Sequence, residues 1–486
     1  MSEIIVFIIY LAFMLGIGVL FFVRNKNGGE KTYFLGDRQM GPWVSALSAG
    51  ASDMSAWVLM GLPTSIYAAG IGQIWIAIGL ALGYTLSWLI EAPRLRKFSI
   101  IADDSITIPQ YLTNRFKESS KVLQIICAVV FLLAYTVYAA SSIKACGTLF
   151  NTVLGVDARV AMYIAGIIIV GYTFLGGFSA VCWTDFFQGM LILGAMLLAP
   201  IFAATTLNHD TIHSINEPGY WSLFTNWKDI VSGLAWGLGY FGMPHIIIRF
   251  MSLRSQKDLK KSAKIGISWT LLILIFAAVI GIVGRLYLGF DEETAGKELV
   301  FINVVRSIFN TPILGIVSGI LLAAVLAASM STADSQLLSA SSAFTSDVYN
   351  PIVRKSKAGG REMQWVGRLV VVAVAAIALV LALNPGAGSI MSLVSNAWGV
   401  FGAAFGPTIL LTLFWKRFNF AGALAGIIAG AAIDICWLAF LGSTGIYELA
   451  PGFIGGLIVA VIVTLVTKEP SAEVQKLFDD AVAYDD

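Results

Sequence analysis

Apolar residues run along this chain in long blocks that are separated by short polar segments. Blocks of about 18 or more apolar residues are long enough to cross the hydrocarbon core of a bilayer, and they recur from Ile4 to Val466. Windows of about nineteen residues predict thirteen membrane-spanning helices, and so an all-α membrane protein. The predicted helices cover residues 2–23, 41–69, 71–90, 123–143, 160–182, 186–206, 229–248, 265–289, 312–345, 367–384, 390–414, 419–441 and 450–467.

The polar segments between these blocks differ in their basic content. Of the 31 Lys and Arg residues, 25 lie in alternate loops and in the C-terminal tail. Because short cytoplasmic loops are enriched in Lys and Arg, this alternation predicts an N-terminus outside and a C-terminus in the cytoplasm. We expect a multi-pass protein of the cytoplasmic (inner) membrane. The basic loops are 24–40, 91–122, 249–264, 346–368 and 415–418, and the tail starts at 468.

The amino-acid composition agrees with a protein that is surrounded by lipid. The chain is 58% hydrophobic and 12% charged, whereas soluble domains carry about 25% charged residues. A net charge of +2 leaves no basic face large enough for nucleic acid. The four cysteines fall in or beside apolar runs without a short repeated spacing, which favours neither a metal cluster nor a disulfide framework. We therefore expect lipid as the surroundings, no cofactor and no obligate protein partner.

Two of the predicted helices are poor continuous helices. The second carries Pro42, Pro63 and three glycines, and the seventh crowds three glycines and Pro244 into eight positions. Proline removes a backbone donor, and in lipid the freed groups need partners, so such breaks survive mainly where they line a cavity. The two helices lie five apart and cross the membrane in opposite directions, as two inverted repeats would. The alternative is that the glycines only allow close helix packing.

An inverted repeat of helices 2–6 and 7–11 divides the chain into four parts. None of the loops is long enough for an independent soluble core. The parts are an extra N-terminal helix and cytoplasmic loop at 1–40, a first five-helix repeat at 41–210, a second, inverted repeat at 211–417, and two C-terminal helices with a short cytoplasmic tail at 418–486.

Asp53, near the middle of the second helix, is the strongest single candidate for chemistry. An ionisable group at membrane depth is costly and normally faces a partner or a water-filled pathway. Sodium, like other hard cations, takes carbonyl, hydroxyl and carboxylate oxygens. An unwound break would supply the carbonyls of Ala51 and Met54 beside the hydroxyl of Ser55. The alternatives are that Asp53 caps a half-helix or pairs with a basic residue such as Arg38.

The ninth helix places hydroxyl groups in an otherwise apolar run. A single serine in a membrane helix usually bonds its own backbone, but the adjacent pair Ser331 and Thr332 would complete an oxygen cage if it faced a broken helix. Two further carboxylates, Asp185 and Asp334, lie in or near apolar segments. For a solute we favour the aromatic residues beside the breaks, since an apolar ring would pack against their faces. These are Tyr138, Trp236 and Tyr240.

These stretches resemble the sodium/solute symporter family and, within it, the sodium/proline symporters. The similarity runs through essentially the whole chain, and the first and third stretches below are highly specific. The stretches are LSAGASDMSAWVLMGLP at 47–63, GGFSAVCWTD at 176–185, WGLGYFGMPHIIIRFM at 236–251, AASMSTADSQ at 327–336 and FGAAFGP at 401–407.

The resemblance implies a thirteen-helix, five-plus-five inverted-repeat (LeuT-type) transporter that moves sodium and L-proline inward together by alternating access. It also implies the site residues. Sodium would be bound by backbone oxygens of Ala51, Met54 and Ala328 and by the hydroxyls of Ser331 and Thr332, with Asp53 as the family's sodium-critical carboxylate. Proline would lie near Ser55, Gly61, Tyr138, Trp236, Tyr240 and Pro244. Asp185, Asp334 and Ser335 would hold a second cation or a shared proton; the alternative is that Asp334 points to the cytoplasmic vestibule.

Other functions remain open at this point. The same class of transporter could carry another amino acid, pantothenate or a sugar, and lithium or protons could replace sodium. A membrane enzyme is disfavoured because three histidines provide no nucleophile and base set. A sensor of this family would carry a long cytoplasmic signalling domain, for which the tail is too short.

Overall fold

The computed structural model describes residues 2–24, 29–118, 120–207, 212–224, 226–311 and 314–484. About 84% of the structure is helical and no strand forms in these ranges, apart from one isolated bridge between Met40 and Leu253. The all-α prediction is confirmed. Lys26 of the first basic loop, the predicted helix start at 312 and the predicted repeat boundary between 210 and 211 lie outside the described residues.

Twenty α-helices follow one another along the described chain, joined in places by short 3₁₀ or π turns. They are α1 Ser2–Arg24, α2 Glu30–Leu35, α3 Pro42–Asp53, α4 Leu62–Ala69, α5 Ile74–Leu86, α6 Ala92–Ile101, α7 Ile108–Arg115, α8 Val122–Leu154, α9 Ala158–Thr206, α10 Trp227–Ala235, α11 Pro244–Ser252, α12 Gln256–Leu288, α13 Glu292–Gly296, α14 Val300–Ile308, α15 Gly315–Phe344, α16 Gly360–Ala382, α17 Ile390–Phe414, α18 Phe420–Cys436, α19 Leu449–Val466 and α20 Ala472–Ala483.

Ten described helical segments are long and apolar enough to cross a membrane, or eleven when the bent pair α10 and α11 is taken as one span. Two of the remaining predicted spans correspond to the shorter apolar helices Trp57–Ala69 and Ala158–Gly171. The chain is therefore a multi-pass membrane protein, and the count of thirteen stays a prediction.

Two predicted helix boundaries are wrong. A loop was expected at 183–185, but the break in α9 lies at Gly177, whose φ of 65° suits glycine. The helix continues through Thr184, whose hydroxyl bonds the carbonyl of Ala180 at 3.0 Å. The third predicted span does not end at residue 90, since helical structure continues as far as Ile101.

Both predicted helix breaks are present. α3 ends at Asp53, and Met54 leaves helical geometry with φ −75° and ψ 69°. A π-helical turn then starts at Trp57 and leads into α4 at Leu62. After α10, a 3₁₀ turn runs from Trp236 to Phe241, and α11 begins at Pro244 with a bend of 43°. Proline fits there because the first helical position needs no backbone donor.

The second break packs against α5 with direct contact between the two backbones. A Cβ on Gly83 of α5 would lie 2.0 Å from the carbonyl oxygen of Gly237, so only glycine fits at this crossing. Close packing and helix breaking therefore occur together at the same glycines. α15 is buried along nearly its whole length and packs against α1, α3, α8, α9 and α16.

Candidate functional site

A group of oxygen atoms gathers where the end of α3 meets α15. The hydroxyl of Ser331 lies 2.7 Å from the carbonyl oxygen of Ala51 and 3.2 Å from that of Ala328. The hydroxyl of Thr332, next along α15, is buried and has no hydrogen-bond partner among the described residues. Carbonyl and hydroxyl oxygens are the ligands that hard cations take. Ala51, Ala328 and Ser331 are thus brought together as the sequence predicted, and Met54 lies at the break beside them.

Asp53 connects the two broken helices. Its Oδ2 accepts a hydrogen bond of 2.5 Å from the hydroxyl of Tyr240, and its Oδ1 is buried without a described partner. The alternative pairing with Arg38 does not occur, because the Arg38 guanidinium bonds Asp104 at 2.8 Å. A carboxylate at one break is therefore held by an aromatic hydroxyl at the other.

Aromatic rings line the space around this connection. The ring of Tyr240 is 5.0 Å from that of Trp398, edge to face, while Trp236 stacks on Tyr447 at 5.0 Å and lies 6.1 Å from Trp57. The sequence identified Tyr240 and Trp236 but missed Trp57, Trp398 and Tyr447. Only the position of Trp57, two residues after the break, gave a signal that could have found it.

Two hydroxyl groups among the predicted solute residues lie close to each other, and neither makes a hydrogen bond of good geometry to a described residue. These are the buried side chains of Ser55 and Tyr138. Pro244 is buried at the first position of α11. Gly61 and Trp236 instead reach the wall of a cavity of about 680 Å³, which we call the vestibule. The predicted solute residues therefore divide between the vestibule wall and the buried space beside the breaks.

Glu298 holds the start of α17 beside the vestibule. Its two carboxylate oxygens accept hydrogen bonds from the backbone amides of Ile390 and Met391, at 2.9 and 3.1 Å. These amides belong to the first turn of a helix, where no partner within the helix exists. The sequence did not identify Glu298, because its contacts are with residues far along the chain.

Asp185 is held by a basic residue that the sequence placed elsewhere. Arg249 was counted in a cytoplasmic loop, but it is buried in α11. Its Nη2 lies 3.2 Å from Oδ2 of Asp185 and 2.6 Å from the hydroxyl of Ser335. Ser335 also lies 3.3 Å from Oδ1 of Asp334. The predicted trio Asp185, Asp334 and Ser335 is therefore brought together, with a guanidinium in its midst.

We expect the Arg249→Gln variant to lose about 3–5 kcal/mol of stability, because Asp185 is then left as an uncompensated buried charge. The double variant Arg249→Gln with Asp185→Asn should recover most of this loss. Thermal unfolding of the purified protein in detergent measures both. Equal destabilisation in the single and double variants would show that the ion pair does not carry the effect.

On the side opposite the vestibule, polar contacts tie the loops together. Arg38 donates to Oδ1 of Asp104 and, at 2.8 Å, to the carbonyl of Ser105. Partial burial disfavours the ionised form of Asp104, but hydrogen bonds from Lys31 and Arg38 hold its pKa below the usual range. These contacts join the segment before α3 to the loop after α6.

Comparison with known proteins identifies the family. The description "Sodium:solute symporter family" matches residues 33–430. The chain belongs to the sodium:solute symporter family. Among its relatives, the high-affinity proline transporter PutP of Bacillus subtilis is 43% identical, covering 96% of this chain and 98% of the relative. The sodium/proline symporter of Escherichia coli is 42% identical, covering 98% and 96%. The osmoregulated proline transporter OpuE of Bacillus subtilis is 41% identical, covering 97% and 96%.

Solved structures share the fold of this family member. A Na⁺-coupled sialic acid symporter matches with a TM-score of 0.75 at 22% identity, covering 97% of this chain and 99% of that structure. The nucleobase-cation-symport-1 family transporter Mhp1 matches with a TM-score of 0.58 at 13% identity, covering 92% and 98%. The family and the curated relatives are transporters, so the chain is a transporter and not an enzyme, as the sequence predicted.

Proposed function

We propose that this transporter imports L-proline together with sodium across the cytoplasmic membrane. The observation that carries the proposal is similarity over nearly the full length to three proline transporters, at 41–43% identity. Two features of the site support it: the oxygen cluster around Ser331, and the aromatic rings beside two neighbouring hydroxyl groups. The driving force is the sodium gradient plus about 2.3 kcal/mol per charge for each 100 mV of membrane potential.

Sodium would bind between α3 and α15. The proposed ligands are the carbonyls of Ala51, Met54 and Ala328 and the hydroxyls of Ser331 and Thr332. The existing hydrogen bond from Ser331 to Ala51 spans the gap that an ion would bridge. Because the ligands come from two elements, ion binding favours the arrangement in which both face each other. Asp53 acts beside this site, since its carboxylate fixes the position of the break.

Proline would bind where the aromatic rings meet the hydroxyls of Ser55 and Tyr138. The pyrrolidine ring would pack on the faces of Trp236 and Tyr240, and the two hydroxyls would donate to the carboxylate, because neither makes a hydrogen bond of good geometry to a described residue. Gly61 would keep the route from the vestibule open, and Pro244 would fix the start of α11.

A second cation or a proton would bind near Asp185, Asp334 and Ser335. The Arg249 guanidinium bonds Asp185 and Ser335, and the Ser335 hydroxyl lies 3.3 Å from Asp334. Carboxylate and hydroxyl oxygens, which are the ligands of hard cations, are therefore gathered at this place. We expect the Asp334→Asn variant to lower the number of sodium ions moved with each proline. Paired fluxes of labelled sodium and proline measure this ratio. An unchanged ratio of one to one would exclude a second sodium.

The transport cycle follows from the two breaks. We take the repeats to be 41–210 and 211–417, with the N-terminus outside and thirteen spans in all. The vestibule then faces outward and the contacts of Arg38 close the cytoplasmic side. Sodium would order the break at Met54, proline would bind, and rocking of one helix group against the other would release both inside.

The substrate is tested by competition. A host strain without proline transport of its own would express the chain, and uptake of labelled proline would be measured with sodium. We expect excess unlabelled proline to abolish uptake, whereas other amino acids, pantothenate and sugars leave it intact. Sodium-dependent uptake of one of these in place of proline would keep the mechanism and replace the substrate.

A further inference from the structure

Two acidic residues lie buried between α17, α18 and α19, outside the two proposed cation sites. Asp434 near the end of α18 is fully buried, and Glu448, directly before α19, is 8% exposed. Among the described residues, neither oxygen of the Asp434 carboxylate has a hydrogen-bond partner, and nor does Oε1 of Glu448. A buried ionised carboxylate without donors is strongly unfavourable, so these oxygens require a bound proton or another cation.

Both side chains point to the same place on α17. A Cβ on Gly399 would lie 2.8 Å from Oδ2 of Asp434 and 3.3 Å from Cγ of Glu448. The missing side chain of Gly399 is what lets the two acids approach this helix together. Two carboxylates that share a buried site cannot easily both stay ionised without a compensating positive charge.

The helices around the pair do not supply that charge. α17 and α19 contain no charged residue, and Asp434 is the only charged residue of α18. In the part of the chain that the structure describes, no basic side chain on the elements packed against these helices forms an ion pair with Asp434 or Glu448. Lys144 of α8 bonds the carbonyl of Gly388, and Arg94 of α6 and Arg115 of α7 bond the carbonyls of Leu413 and Thr412 near the other end of α17. Lys228 of α10 lies beside Gly445, with its Cδ 3.8 Å from where a Cβ would lie.

The remaining titratable groups nearby are tyrosines. Tyr447 precedes Glu448 in the chain, and its hydroxyl donates to the carbonyl of Ser395 at 2.7 Å, so this proton is directed away from the acids. Tyr240, on the 3₁₀ turn that packs against α17 and α19, donates to Asp53.

We infer that Asp434 and Glu448 form a binding site for one monovalent cation, either a proton shared by the two carboxylates or a sodium ion held by their oxygens. The site lies next to the vestibule, because Gly445, Ile446 and Tyr447, the residues directly before Glu448, line the vestibule wall. It adjoins the solute region through the stack of Tyr447 on Trp236. The inference does not depend on which solute is transported.

Infrared spectroscopy and sodium binding distinguish the two cations in the full-length protein purified in detergent. If the cation is a proton, the carbonyl band of a carboxylic acid is present in the wild type at neutral pH and is lost in Asp434→Asn. In Glu448→Gln the Asp434 band should titrate at least about one pH unit lower, because the neighbouring negative charge is gone. If the cation is sodium, either variant binds about one labelled sodium ion fewer per molecule.

The control is Glu91→Gln, which replaces a buried carboxylate at the far end of the span of α5 and should leave both sodium binding and the Asp434 band unchanged. The inference would be overturned by folded Asp434 and Glu448 variants that show the same carboxylic-acid carbonyl band as the wild type and bind the same amount of sodium. If neither amide variant folds, Gly399→Ala replaces them, since its methyl group must separate the two acids. Unchanged proton and sodium binding in that variant would equally overturn the inference.

Discussion

Replacement of Asp53 by asparagine is expected to weaken sodium-dependent uptake about 10- to 100-fold, seen as a higher sodium concentration for half-maximal rate. Hydrogen bonds to charged groups contribute about 1.5–3 kcal/mol, and the variant replaces the charged acceptor of the Tyr240 hydroxyl by a neutral amide. The bond links the two helix breaks, so its weakening loosens the sodium site and the solute region together. Initial rates of labelled proline uptake over a range of sodium concentrations measure the effect.

Two comparisons separate charge from shape. Tyr240→Phe removes the donor but keeps the ring that packs on Trp398, so we expect a smaller loss of sodium affinity and a rise in the proline concentration for half-maximal uptake. Asp53→Glu keeps the charge but displaces it, and we expect it to retain more activity than Asp53→Asn. Normal sodium affinity in Asp53→Asn would contradict the role assigned to this carboxylate.

Removal of hydroxyl ligands on α15 should weaken sodium binding while proline packing stays intact. Each of Ser331→Ala and Thr332→Val removes one oxygen, and a hydrogen bond or ligand of this kind contributes about 1–1.5 kcal/mol. We expect a loss of about tenfold in sodium affinity for each single variant and a larger loss for the double variant. Direct binding of labelled sodium to purified protein measures the affinity without requiring transport.

Ser329→Ala is the matched control for this pair. Ser329 lies on the same helix and is equally buried, but its hydroxyl bonds the carbonyl of Val325 within the helix at 2.8 Å. This replacement should leave sodium affinity unchanged. If Ser329→Ala and Ser331→Ala weaken sodium binding equally, the oxygen cluster around Ser331 is not the binding site.

Sequence patterns predicted the features that depend only on residues close together in the chain. Proline and glycine mark the breaks after Asp53 and before Pro244, since a broken helix follows directly from lost donors and backbone freedom. The adjacent hydroxyls of Ser331 and Thr332 stood out in an apolar run. The contact of Ser331 with Ala51 followed from pairing a broken helix with a helix that carries hydroxyl groups.

The features that the sequence missed depend on contacts between distant segments. Arg249 follows an apolar run and looks like the start of a loop, yet its charge is buried because Asp185 lies beside it. The break at Gly177 comes from one left-handed backbone angle, which a glycine pair in the sequence does not reveal. Tyr447 joins the aromatic group only because α19 packs against the turn that begins at Trp236.

The central claim is that an inward sodium gradient drives proline import through this protein. It is tested most directly by labelled proline uptake into proteoliposomes, with sodium outside and potassium inside, against vesicles with equal sodium on both sides. The account predicts that proline accumulates above its external concentration only with the gradient and that a sodium ionophore abolishes the accumulation. Proline uptake that is indifferent to the sodium gradient would contradict the account.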